Sequence, residues 1–317
     1  MRSLIFNAGA QFTEAPYPVA QAGEALVRVV MAGICNTDIE LLRGYMGFTG
    51  VPGHEFVGVV EESGNSHLLG KRVVGEINCV CGACEFCVRA MPHHCMNRSV
   101  LGILGRPGAF AEYLTIPESN LHLVPSGLPD EIAVFTEPVA AAFRILEQVD
   151  IGPGDSVVIL GDGKLGHVIA QVLWTRTKRL TCVGKHARKL ALLSELGIHT
   201  GMHDDTFEAN ADIVVEATGS PEGLQRALSL VRPEGTVILK TTVAGETALD
   251  LSVPVINEVT VVGSRCGPFA PALEALALGT VEVRPMIEAV YSFENVLAAL
   301  EHAQRPGAMK VLVRISE

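Results

Sequence analysis

Two regimes of hydrophobic spacing divide the chain. Up to about residue 125, short runs of Val and Ile broken by Gly and Pro predict strands at 24–30, 55–61 and 72–77, and residues 1–10 read as an opening strand. Beyond about 130 the period changes. Apolar residues at helical spacing over 131–149 are followed by a Gly152-Pro153-Gly154 turn, an apolar strand at 156–160, a glycine loop and a helical run at 165–174. Strands at 180–183, 213–217 and 235–239 then alternate with helices at 189–196 and 221–230, the rhythm of βαβ units on a parallel sheet. A last sheet strand is expected at 259–263, helices at 270–278 and 293–304, and a closing strand at 310–315.

A chain of 317 residues is long for one domain. The pattern predicts an α/β protein: an irregular β domain over 1–137, a doubly wound parallel sheet of Rossmann type over 138–264, and a segment, 265–317, that returns to the first domain. With 35 acidic and 24 basic residues the formal charge is −11, which argues against nucleic-acid or anionic-membrane partners. No apolar run approaches the roughly 18–20 residues of a membrane span, and the N-terminus lacks the marks of a signal peptide, so a cytoplasmic protein is expected.

The segment Ser156-Val-Val-Ile-Leu-Gly161-Asp-Gly163-Lys164-Leu165-Gly166 is a G-x-G-x-x-G that closes a strand and opens a helix. Gly161 suits the tight turn, Gly163 the close approach of a diphosphate, and Gly166 the packing of helix on strand. NAD sites place Asp or Glu about 20 residues further on, at the end of the next strand. Here that strand is followed by Gly184, then Lys185, His186 and Arg188, with no carboxylate to repel a 2′-phosphate. The expectation is NADP(H) in preference to NAD(H).

Cys81, Cys84, Cys87 and Cys95 fall within fifteen residues, in a lobe at about 79–96. Four thiolates form a closed tetrahedral set for a structural zinc. An iron–sulfur cluster is the competing occupant, less suited to surroundings without a redox partner. Cys79, Cys182 and Cys266 read as bystanders in apolar surroundings.

Three further fragments occur in the same chain: Gly33-Ile-Cys35-Asn-Thr37-Asp38-Ile-Glu40, Pro52-Gly-His54-Glu55, and Thr136-Glu137-Pro138. With the cysteine lobe, the glycine loop, Gly108-Ala-Phe110-Ala-Glu112-Tyr113, Glu216-Ala217-Thr218-Gly219 and Lys310-Val-Leu-Val, they resemble the medium-chain zinc-dependent dehydrogenases over essentially the whole chain. The likeness is nearest to the branch of sorbitol, threonine and related polyol dehydrogenases, because Glu137-Pro138 stands where liver-type alcohol dehydrogenases carry a third-ligand Cys. The resemblance implies a GroES-like first domain, a catalytic zinc held by Cys35 and His54, and Glu55 or Glu137 as the remaining protein ligand. It implies that Thr37 receives the alcohol proton and that Asp38 orients His54. Zinc then promotes hydride exchange between a hydroxyl-bearing carbon and the nicotinamide. Ala217, Thr218 and Lys310 join the expected cofactor residues. Arg265 could contact cofactor or substrate.

Relatives commonly end the proton relay in His at the position of Glu40, so Glu40 is either the relay's terminus or a solvated helix residue. Tyr45 and Phe48 either line the substrate pocket or are ordinary aromatics. The connections between Thr241 and Asn257 are brief, and such connections help relatives oligomerise; a homodimer or homotetramer is expected, with the choice open. A secondary alcohol, polyol or β-hydroxy amino acid is the expected substrate, with aldehyde or ketone reduction as the alternative direction. A nucleic-acid-binding role for the cysteine lobe is the rival from another class, opposed by the acidic balance.

Overall fold

The structure is a computed structural model that describes residues 1–207, 210–242 and 248–317. Its contacts sort into two units. One comprises Met1–Glu137, Ala272–Ala277 and Met286–Glu317, the other Pro138–Pro271 and Leu278–Pro285. Residues 243–247 of the 241–257 connection lie outside the described residues.

The first unit is organised on the strand Glu24–Gly33, whose Ala-Leu-Val and Val-Val-Met-Ala runs are buried on both faces. It pairs antiparallel with Glu55–Glu62, Tyr113–Pro117 and Lys310–Arg314, and the last of these pairs parallel with Ile287–Ser292. Arg72–Gly75 and Leu121–Leu123 extend the other side. Register here brings distant residues together. Gly33 lies opposite both Glu55 and Leu312, so three segments far apart in the chain meet at one strand end. The opening residues form a hairpin instead of the single strand expected over 1–10. Arg2–Phe6 pairs with Ala10–Glu14 across a turn in which Ala8 and Gly9 both take positive φ.

The helical pattern at 131–149 resolves into two helices, Asp130–Ala133 and Thr136–Gln148. Pro138 explains the break. In a continuous helix it would lack the N–H owed to an earlier carbonyl, whereas a restart at Thr136 puts it in the first turn, where that donor is not needed.

The second unit holds a six-stranded, all-parallel sheet. Its spatial order is His199–Met202, Leu180–Gly184, Val157–Leu160, Ala211–Glu216, Val231–Leu239, Thr260–Gly263. Counted along the chain this is 3-2-1-4-5-6, the doubly wound order in which the crevice opens at the end of the first strand. Leu160, Val183, Val214, Ala227 and Val237 share its core. The strand His199–Met202 has no counterpart among the strands expected from the sequence. It is a half-exposed edge strand of His, Thr, Gly and Met, without the apolar run that marks the others.

Candidate active site

Cys35 caps the helix Asn36–Leu42, and the Asp38 carboxylate reaches back to accept the Cys35 N–H at 2.8 Å. The other Asp38 oxygen accepts the Gly53 N–H at 3.2 Å and stands 3.4 Å from His54 Nδ1. That last distance is long for a hydrogen bond, and His54 Nδ1 makes no closer one among the described residues. One buried carboxylate thus fixes the backbone of Cys35, the backbone beside His54 and the edge of the imidazole ring. Cys35, His54 and Glu55 bring one donor atom each to within 4.8 Å of one another, with His54 and Glu55 buried and Cys35 half-buried. Burial works against the imidazolium, but Asp38 and then Cys35 outweigh it and hold His54 well above its usual pKa. A site that attracts a cation this way, with sulfur, nitrogen and oxygen donors and Asp38 against the ring, fits zinc.

Glu55 is not a free ligand. Lys310, fully buried, places its ammonium on Glu55 Oε2 and lies 5.3 Å from the centre of the Phe135 ring. Burial opposes the charge on Lys310. Glu55, then Cys35, and more weakly Glu137, overcome it and raise the lysine pKa. The register makes this possible: Lys310 starts the strand whose Leu312 faces Gly33. A Cβ on Gly33 would fall 2.4 Å from Glu55 Oε2, so any larger residue there would push that carboxylate off its place against Lys310. Lys310, expected at the cofactor, is therefore seated behind Glu55. Glu137 is half-buried at the start of its helix and lies outside the group formed by Cys35, His54 and Glu55.

Thr37 Oγ1 is 3.8 Å from Cys35 Sγ, so the hydroxyl faces the same donor set. Glu40 accepts a 3.0 Å hydrogen bond from Arg43, one turn along. Phe48 packs edge-on against Phe6, and Tyr45 is half-buried in the turn Tyr45–Gly47.

The cysteine lobe carries a small sheet of Asn78–Cys79, Ser99–Leu101 and Gly105–Arg106. The sulfurs of Cys84 and Cys87, Cys84 and Cys95, and Cys81 and Cys95 are 3.5, 3.8 and 3.5 Å apart. Zinc–sulfur bonds of about 2.3 Å in a tetrahedron imply about 3.8 Å between sulfurs. The backbone N–H groups of Ala83 and Cys84 lower Cys81 to about 6. Desolvation, and then Cys84 and Cys95, push Cys87 up to about 12. Four sulfurs at this spacing fit one tetrahedral cation. Cys79 is buried, outside this group, and touched by Asn120.

In the second unit two of the three loop glycines are required by close backbone approach. Gly161 has φ +119, and a Cβ there would lie 2.4 Å from the Ala217 carbonyl oxygen. A Cβ on Gly166 would lie 1.9 Å from the Gly161 oxygen, whereas one on Gly163 would meet nothing within 4 Å. The helix Lys164–Trp174, with Leu165 in its first turn, starts at Gly163 without a side-chain cap, leaving its first N–H groups for an anion. Thr218 donates its N–H at 2.8 Å and its hydroxyl at 2.5 Å to Glu216, a buried carboxylate whose role no local spacing in the sequence reveals. Arg265 is exposed, and its carbonyl accepts from Lys240, whose ammonium also binds the Ala141 oxygen and Ser264 Oγ.

The end of the strand Leu180–Gly184 was expected to lack a carboxylate, and it does hold one, supplied by Asp162 from within the glycine loop. Lys185, His186 and Arg188 are exposed around it.

The family model described as Alcohol dehydrogenase GroES-like domain matches residues 21–126, and that described as Zinc-binding dehydrogenase matches 165–279. The L-threonine 3-dehydrogenase of Streptomyces coelicolor is 29% identical over 96% of this chain and 96% of its own. A protein of Sinorhizobium meliloti 1021 solved with NADP has a TM-score of 0.88 at 26% identity, covering 99% of both chains. A short chain alcohol dehydrogenase of Escherichia coli CFT073, solved with NADH, shares the fold at a TM-score of 0.90 and 24% identity, again over 99% of both chains. The chain belongs to the zinc-binding alcohol and polyol dehydrogenase family of medium-chain dehydrogenases, built from a GroES-like and a Rossmann-type domain.

Proposed function

We propose that this chain oxidises a secondary alcohol, polyol or hydroxy amino acid by passing hydride to a nicotinamide dinucleotide, or runs the reverse carbonyl reduction. The observation that carries the reading is the convergence of Cys35, His54 and Glu55 donor atoms within 4.8 Å, tied together by the buried Asp38. Cys35 and His54 would hold the catalytic zinc, with Glu55 or Glu137 as the third protein ligand. Zinc bound there supplies a Lewis acid that favours loss of the alcohol proton, and the dinucleotide supplies the hydride acceptor. Thr37 receives that proton on its hydroxyl. Asp38 keeps the imidazole edge oriented, and Lys310 balances the carboxylate of Glu55. The diphosphate sits on the N–H groups that open the helix Lys164–Trp174, with Gly161, Gly163 and Gly166 giving it room.

A structural zinc in the Cys81, Cys84, Cys87 and Cys95 set completes the reading. Thiols kept free for metal suit a reducing compartment such as the cytoplasm. A second copy of the chain is the proposed partner. Thr260–Gly263 ends the sheet with Val261 exposed, and Leu251, Val255 and Ile256 add apolar surface on the preceding helix. The cations Lys185 and Arg188, with His186 between them, argue for NADP(H), while Asp162 argues the other way.

The test is metal content together with turnover on a panel of secondary alcohols, polyols and β-hydroxy amino acids, using NAD+ and NADP+ in parallel. About two zinc per chain, and turnover that vanishes in Cys35→Ala, are expected. Full turnover in Cys35→Ala would overturn the reading.

A further inference from the structure

The sequence places glycine where a ribose-binding carboxylate belongs, and the structure shows what occupies that space. Asp162, the middle residue of Gly161-Asp-Gly163, turns its side chain under the end of the strand Leu180–Gly184. A Cβ on Gly184 would fall 2.3 Å from Asp162 Cβ and 2.5 Å from both Cγ and Oδ2. The first atom of any strand-end side chain would thus collide with the carboxylate that has taken its place. With Asp162 so placed, only glycine fits at 184.

The hydrogen bonds say what this carboxylate does. Asp162 Oδ2 accepts the N–H of Lys185 at 2.8 Å and that of His186 at 2.6 Å. His186 Nδ1 stands 3.0 Å from Oδ2 and 3.1 Å from Oδ1. Successive N–H groups after a strand make a nest for an anion. In this chain an anion of its own already fills that nest. Burial resists ionisation of Asp162, but the N–H and ring of His186 hold its pKa below the usual value.

A 2′-phosphate brought to this strand end would find its amide donors taken and a negative charge in their place. A ribose with both hydroxyls free would find an acceptor. A carboxylate oxygen has about two lone-pair directions, and Oδ1 spends only one of them on the His186 ring. The exposed Lys185 and Arg188 are hydrated cations, and salt weakens their pull on a phosphate more than the buried Asp162 charge is weakened.

We infer that Asp162 is the residue that selects the dinucleotide, its carboxylate having moved from the strand end into the glycine loop, and that it favours the free ribose diol of NAD(H) over the 2′-phosphate of NADP(H). This rests on the reading of the glycine loop as a dinucleotide site and reverses the preference that Gly184 and its following cations suggest.

The experiment measures NADH and NADPH dissociation constants by fluorescence on the zinc-loaded protein, with kcat/KM for both oxidised forms once a substrate is in hand. The native protein is expected to bind NADH more tightly by about tenfold or more. Asp162→Asn is expected to move that ratio toward NADPH by a similar factor. The double variant Asp162→Gly with Gly184→Asp returns a carboxylate to the strand end and is expected to restore the preference for NADH. If both dinucleotides bind with NADPH equal or tighter in the native protein, the inference is overturned while the dehydrogenase reading stands, whatever the variants do. An unchanged ratio in a folded Asp162→Asn protein overturns it equally. Binding of neither dinucleotide overturns the inference and the dehydrogenase reading together.

Discussion

Among the described residues two clusters can take a metal, and they are built on opposite plans. Cys81, Cys84, Cys87 and Cys95 come from one short stretch, offer four like donors, and lie in a lobe where Cys81 is exposed and Cys84 and Cys87 half-buried. Cys35, His54 and Glu55 come from a helix cap and the start of a strand, offer three unlike donors, and have a buried carboxylate and a buried lysine behind them. The first set is complete without any outside group. The second leaves a position open and surrounds its donors with groups that fix their orientation and charge. A closed set contributes stability; an open, supported one can do chemistry. Changes in the open site should therefore act on turnover, and changes in the closed one on folding.

The largest effect is expected from Cys35→Ala. Loss of this donor removes several kcal/mol of transition-state stabilisation, so kcat/KM should fall by about 10³-fold or more while zinc content drops by about one per chain. The circular dichroism spectrum and the thermal midpoint should stay near native. A tenfold loss or less would put the chemistry elsewhere.

Cys84→Ser is the mirror experiment. It should also remove about one zinc, yet open the lobe to limited proteolysis and lower the thermal midpoint, with kcat per folded chain within about threefold of native. Turnover abolished in the still-folded variant would erase the contrast between the two sites.

Lys310→Met asks how far the buried pair supports the open site. It leaves Glu55 buried and without its cation, a change that costs about 3–5 kcal/mol when one partner of a buried pair is removed. A double variant with Glu55→Gln should recover most of that loss. If Lys310→Met unfolds at the native midpoint, the pair carries no such weight. Asp38→Asn is gentler. It keeps an acceptor for the Cys35 N–H but loses the one for the Gly53 N–H and the charge facing His54, so zinc affinity should fall about 10–100-fold, read by chelator competition.

The two plans also differ in how far the sequence displays them. The four-cysteine set is visible because all its donors sit within one turn-rich segment, so spacing alone reports proximity. The glycine loop is visible for the same reason: turn and packing are local needs, and Gly161 and Gly166 meet them. Cys35 and His54 carry a signal only in combination with the other fragments, since a lone Cys or His is usually core. Register is what the sequence conceals. Nothing in the chain before folding says that Gly33 will face both Glu55 and Leu312, and so the sequence points Lys310 to the cofactor rather than to Glu55. Asp162 hides differently: a charged residue inside a glycine loop looks like solvent-facing filler until Gly184 is found packed against it. Pro138 teaches the opposite. It stands in plain view beside Glu137, yet the hydrophobic period over 131–149 runs straight across the break it makes.

Glu40→Gln should have the smallest effect and the sharpest meaning. Glu40 sits on the helix Asn36–Leu42 that also presents Thr37 and Asp38, so its position suits the far end of a proton path. Yet its carboxylate accepts from Arg43 one turn on, with about a third of the side chain exposed. A surface pair of this kind contributes under about 1 kcal/mol, and it holds the Glu40 carboxylate on Arg43 at the surface. On the proposed mechanism the Thr37 hydroxyl, half-buried beside Cys35, would then hand its proton directly to water. The expected result is a pH–rate profile that superimposes on the native one, with kcat within about twofold. A displaced or flattened profile would make Glu40 part of the open site, and the support behind that site would then reach one residue further along the same helix.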